Sequence, residues 1–175
     1  MATSIVLPNN MRMPISTGPR TLPRETYRNL IRVHERLTGE LANLLREHGA
    51  SGAQYNVMRV LQGAPPEGAA CQYISAHLLT KVPDVTRLID RMVASDLVRR
   101  ERSKKDRRIV LVNLTSKGRE MFAQLEAPID KLHETQFAHL SGEQAQTLNR
   151  ALLEVLGQLP EENNARQDPS EPKES

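Results

Sequence analysis

"VPDVTRLIDRMVASDLVRRERSKKDRRIVLVNLT", residues 82–115, changes period halfway along. Up to Asp96, the apolar residues Val85, Leu88, Ile89, Met92 and Val93 recur at steps of three and four. That is one face of a helix over about residues 83–95, with Pro83 and Asp84 suited to its first turn. From Leu97 the period is two. "LVRRER" and "RRIVLVNL" are β-prone runs on either side of the polar connection "SKKD", which is the pattern of a hairpin. Seven of the ten residues in "RRERSKKDRR", residues 99–108, are Lys or Arg. A charge run by itself is most often a solvated face. Here its flanks turn it into a hairpin, and the helix before it supplies a context for the charge.

Upstream, "CQYISAHLL" reads as a short helix over about residues 69–79, separated from the next by a brief break at "TK". Before it, "GAPPEGAA" is a loop, since its prolines forbid a continuous helix. Ser51, with Gln54 three residues on, has the spacing of a capping box and opens a helix that ends at Gly63. Earlier still, Thr21 and Pro23 open a long helix. Its stripe of Tyr27, Leu30, Ile31, Leu37, Leu41, Leu44 and Leu45 ends near Gly49. Downstream, Thr115 begins another helix, and Phe122, Leu125, Ile129 and Leu132 form a narrow stripe that resembles a helix–helix seam. A second capping box, "SGEQ", opens a last helix, which Pro160 stops.

Two short helices followed by a basic hairpin make a winged helix-turn-helix. The expected class is mainly α with a small β-hairpin wing: a winged helix-turn-helix plus a helical dimerisation region. The expected divisions are an aperiodic arm at 1–20, a dimerisation helix at 21–49 and a winged DNA-binding region at 50–115. C-terminal dimerisation helices follow at 116–160, then an acidic, disordered tail at 161–175. The long first helix and the Phe122–Leu132 stripe speak against a monomer, because apolar stripes need partners.

Charge points to the ligand. Between Lys81 and Arg119 twelve Lys and Arg face five Asp and Glu, while the whole chain carries only +3. A basic middle between net-acidic arms is the footprint of a polyanion-binding module. The second helix of a helix-turn-helix lies in the major groove of DNA. Here that helix turns Thr86, Arg87 and Arg91 away from its apolar face. An Arg can read guanine through two hydrogen bonds, and a Thr can meet a base or a phosphate. Arg91 can reach a phosphate or pair with the dimer mate's domain. Arg102, Lys104 and Lys105 are candidates for phosphate contact.

Other classes find little support. No motif of the HExxH, GxSxG, P-loop or GxGxxG kind is present, so neither catalysis nor a cofactor is expected. No pair of histidines has metal-binding spacing on one helix, and no metal is expected. Cys71 is the only cysteine, which rules out an internal disulfide and reads as a structural thiol. No apolar run approaches the roughly 20 residues that span a bilayer, and the N-terminus lacks the apolar core of a signal peptide. A soluble, cytoplasmic protein without membrane contact is expected. The competing reading is a monomeric winged-helix module that binds RNA or a protein partner.

"VPDVTRLIDRM", "DLVRRERSKKDRR" and "IVLVNLTSKGRE" together resemble the MarR family of bacterial transcription regulators, and "QYNVMRVLQG" fits that family's second helix. The resemblance spans about residues 25–158. It implies a homodimer whose first and last helices interlock, binding double-stranded DNA at a palindromic operator, most often as a repressor. It places Val82, Pro83, Thr86 and Arg87 at the N-terminal region of the recognition helix, and Arg107 in a minor groove. Asp106 matches an aspartate that braces basic side chains near the wing tip. It also implies a small aromatic or phenolic ligand, whose pocket no residue pattern identifies. Two positions depart from the family: Leu79 stands where a turn glycine is frequent, and Asp96 where a glycine precedes "LV". Asp tolerates a left-handed backbone better than most residues.

Overall fold

The computed structural model describes residues 21–157. The expected arm at 1–20, the tail at 161–175, and Leu159 and Pro160 lie outside the described residues. Among these, the chain runs α1 (Leu22–Glu47), α2 (Gly52–Gln62), β1 (Ala69–Ala70), α3 (Cys71–His77), α4 (Val85–Ala94), β2 (Val98–Arg102), β3 (Val110–Leu114), α5 (Ser116–Phe137) and α6 (Gly142–Val155). The class is the expected one, mainly α with a small antiparallel sheet. No helix among the described residues is long and apolar enough to cross a membrane.

Several helices start where local chemistry supplies a cap. Both capping boxes form: the Ser51 hydroxyl accepts from the Gln54 amide, and Ser141 does the same with Gln144. Each satisfies N–H groups that a first turn leaves without helical partners. Thr21 takes the N-cap position of α1 in helical geometry rather than capping through its side chain. At the other end of the chain, α6 stops at Val155 instead of running on to Pro160. Gly157 at φ 65° supplies the left-handed residue that closes a helix.

The chain divides into two compact units between Ala127 and Pro128, inside α5. The first holds α1 to α4, the sheet and the start of α5. Its core is built from Leu45 of α1, Val57 and Met58 of α2, Ile74 of α3, Ile89 and Met92 of α4, Val98, Val112 and Leu125, all with almost no exposed surface. Phe122 is buried too, and its ring stacks on Tyr55 of α2 at 5.8 Å between centroids. The stripe expected to need an outside partner is therefore covered over Phe122 and Leu125 by its own chain. In the second unit Gln136 is buried and its Oε1 lies 3.0 Å from His133 Nδ1.

The sheet has a strand that periodicity does not reveal. Its order is β1–β3–β2, all antiparallel, with Ala69 opposite Val112, and Val98 opposite Leu114. A two-residue strand is too short to show alternation, and "GAA" reads as loop. Gly68 makes it possible: its φ is 99°, and any Cβ there would strike the Asn113 side chain, whose Nδ2 donates to the Glu67 carbonyl at 3.1 Å.

The junction of α4, β2 and α5 is tightly determined. Asp96 has φ 56°, the conformation its substitution for glycine requires. Thr115 Oγ1 donates to the Asp96 carbonyl at 2.6 Å, and the Thr115 amide to the Leu97 carbonyl at 3.1 Å. Gly118 passes so close to Leu97 that a Cβ would collide with its carbonyl oxygen.

Candidate nucleic-acid interface

α4 is strongly two-faced. Val85, Leu88, Ile89 and Met92 are buried. Val93, expected to join them, is 39% exposed, because at about 100° per residue it falls at the margin of the stripe that the other four define. Thr86, Arg87 and Arg91 are exposed. The helix begins at Val85 rather than near Pro83, and the reason is local. Asp84 is the N-cap, its carboxylate accepting from the Arg87 amide at 2.9 Å. Pro83 biases Val82 towards extended backbone. Val82 (half-buried) and Pro83 (exposed) thus lie in the link ahead of the helix, not within it. That link, Leu78–Asp84, is longer than the break expected at "TK", since α3 already ends at His77. Leu79 has no left-handed backbone, so the glycine frequent at this point in the family is not needed.

The wing differs in detail from its expected form. β2 ends at Arg102 and β3 begins at Val110. The connection is residues 103–109, not the four of "SKKD", and Arg107 and Arg108 belong to its turn rather than to a strand arm. Polar bonds hold this longer turn. The Ser103 amide donates to the Ile109 carbonyl at 2.9 Å, and Ser103 Oγ accepts from the Lys105 amide at 3.2 Å. Asp106 accepts from the Arg108 amide at 2.9 Å, and its carbonyl accepts from Ile109 at 3.0 Å. The bond found for Asp106 is therefore to backbone, not to a basic side chain.

The basic residues of this region sort into two groups. Arg99 pairs with Glu101 at 2.9 Å and Arg100 with Asp90. Lys117 donates to the Ser95 carbonyl at the end of α4, and Arg119 to the Leu114 carbonyl. Arg87, Arg91, Arg102, Lys104, Lys105 and Arg107 are exposed, and their charged groups have no partner among the described residues. The acids that could have neutralised Arg87 are otherwise engaged, Asp84 in the cap and Asp90 with Arg100. The Asp90–Arg100 pair joins the second turn of α4 to β2, a link across ten residues that no local spacing announces. Arg91 lines a shallow groove with Ser51, Gln54, Leu88, Ala94 and Ser95. No group of three His, Cys, Asp or Glu residues that could hold a metal occurs among the described residues.

Comparison with known proteins gives a consistent answer. A profile described as "MarR family" matches residues 48–109, which include α2, α3, α4 and β2. The chain is 35% identical over 126 residues to the HTH-type transcriptional regulator TtmR of Methylorubrum extorquens, covering 71% of this chain and 60% of that one. It is 28% identical over 127 residues to the HTH-type transcriptional repressor IacR of Pseudomonas putida, covering 73% and 74%. Among solved structures it is similar to a MarR transcription factor from Planctomyces limnophilus. There the identity is 36%, the TM-score 0.58, and the coverage 75% of this chain and 95% of that one.

Proposed function

The chain belongs to the MarR family of transcription regulators, and we propose that it is a cytoplasmic, ligand-responsive repressor that binds a palindromic DNA operator as a homodimer. One observation carries this reading. The outer face of α4 and the wing turn present cations that no described residue neutralises, beside a helix face fixed by a buried stripe. Free guanidinium and ammonium groups there are available to phosphates and base edges.

In this reading α4 lies in a major groove. Arg87 donates two hydrogen bonds to the N7 and O6 of guanine, and Thr86 meets a neighbouring base or phosphate. Pro83 and Val82 make apolar contact where the link meets the groove edge. Arg91, Lys104, Lys105 and Arg102 contact phosphates, which set register without reading sequence. Arg107, lifted on the turn that Asp106 braces, enters the flanking minor groove, whose negative potential attracts it.

The dimer reading is supported by uncovered apolar surface. α6 has no buried residue, and Val155 is 77% exposed. In α1 only Leu45 is buried, while Tyr27, Leu30, Ile31 and Val33 are exposed. Helices of this kind acquire stability by packing an apolar face, so a second copy is the natural cover. Two recognition helices then fall in successive major grooves, about 34–36 Å apart. A small aromatic or phenolic acid would bind the dimer and favour a spacing of its recognition helices that no longer matches the operator.

Selection of genomic DNA fragments on the purified protein tests the proposal. Enrichment of fragments sharing an inverted repeat is expected, with retention falling when the effector is added. Uniform recovery of all fragments would refute sequence-specific binding.

A further inference from the structure

Two side chains of α2 reach the link that aims α4. Arg59 Nη2 donates to the His77 carbonyl at 2.9 Å, and Asn56 Nδ2 donates to Thr80 Oγ1 at 3.3 Å. His77 is the last residue of α3, so its carbonyl is one that the helix leaves without an internal partner. Thr80 lies in the middle of the link. We propose that Asn56 and Arg59 are positioning residues for DNA recognition, tethering this link to α2 and so setting the angle at which α4 meets the groove. The proposal rests on the DNA-reading role assigned above to α4.

Three features carry it. First, apolar packing holds the link only in part: Leu78 and Val82 are half-buried, and Leu79 between them is 74% exposed. Polar bonds from a fixed element add the rest of the hold, and a charge-assisted bond from Arg is the stronger kind. Second, both ends of the tether are stiff. α2 is held by buried Val57, Met58, Val60 and Leu61. The end of α3 is held by the His77 ring, which stacks on Tyr73 at 4.0 Å and sits 2.8 Å from the Tyr73 carbonyl through Nδ1. Third, Asn56 Oδ1 and Arg59 Nε are hidden from solvent and have no hydrogen-bond partner among the described residues. Buried polar atoms left in that state are destabilising, and an apolar side chain would avoid the cost. The pair is better explained by what its other atoms hold in place than by stability.

Base reading tolerates little misplacement, whereas phosphate attraction is insensitive to a small change of angle. Misaiming α4 should therefore erode discrimination and spare non-specific affinity. The test uses duplexes enriched by the wild-type protein from a random-sequence pool, together with a scrambled duplex of equal composition. Arg59→Met and Asn56→Ala are expected to lose selected-duplex affinity on the order of tenfold while scrambled-duplex affinity and its salt slope stay unchanged. Arg59→Lys, which retains one donor for the His77 carbonyl, should recover part of the loss. Thermal melting of each variant separates unfolding from misaiming. Variants that melt earlier yet keep the wild-type ratio of selected to scrambled binding would overturn the tether, as would an equal loss on both duplexes. Failure of the wild-type protein to enrich any duplex would overturn the reading of α4 itself.

Discussion

Arg87 is exposed in the first turn of α4, with its backbone amide held by Asp84 and its side chain unpaired among the described residues. Because the guanidinium makes no internal bond, removing it should leave the fold alone. Arg87→Ala is expected to change stability by less than about 0.5 kcal/mol, yet to weaken operator binding by about 1–3 kcal/mol and to relax the base preference at one position per half-site. Fluorescence anisotropy on single-base operator variants, alongside thermal melting, checks both halves of the statement. At this scale the sequence was legible where chemistry is local. The capping boxes at Ser51 and Ser141 follow from neighbours within a few residues, and the left-handed Asp96 follows from the glycine frequent there in the family. Residues whose partners are distant in sequence were not legible: Asp90 with Arg100, Lys117 with the Ser95 carbonyl, Arg59 with the His77 carbonyl. Charge counting placed Arg100, Lys117 and Arg119 in the basic footprint, although their charged groups bind other parts of this chain.

The wing shows the same limit for whole elements. A period of two revealed β2 and β3, but the turn between them is longer than its polar core, because Ser103 and Asp106 bond backbone amides across it. β1 stayed hidden, since two residues carry no period and only Gly68 and Asn113 betray the pairing. Periodicity marks α4 as a helix but not its start: Pro83 and Asp84, both suited to a first turn, lie ahead of it, with Asp84 as the cap. These differences matter for function. Arg107 and Arg108 ride on the turn, further from the sheet than strand residues would be. The Lys105 ammonium, on the same turn, has no partner among the described residues, so Lys105→Ala should lower affinity for any duplex and flatten the slope of log affinity against log salt by about 1. An unchanged slope in a salt titration would place Lys105 among merely solvated charges.

Among the described residues, the apolar surface that one chain leaves open is concentrated in the N-terminal half of α1 and in α6. The seam expected along α5 is not its source, since Phe122 and Leu125 are buried within their own unit. Helical periodicity shows that a face is apolar but not which surface covers it, so the stripe alone does not tell a partner chain from its own. If α6 meets a second copy, Val155→Asp should shift the protein from dimer to monomer in light scattering at micromolar concentration and reduce operator affinity, because each half-site would then bind alone. The most direct test of the central claim, that α4 reads bases in the major groove from a two-fold dimer, is methylation protection at guanine N7 on a selected operator. Two protected positions in successive major grooves are expected, about one helical turn apart, and both should disappear with Arg87→Ala. Protection that is absent, or that persists undiminished in Arg87→Ala, would contradict the account.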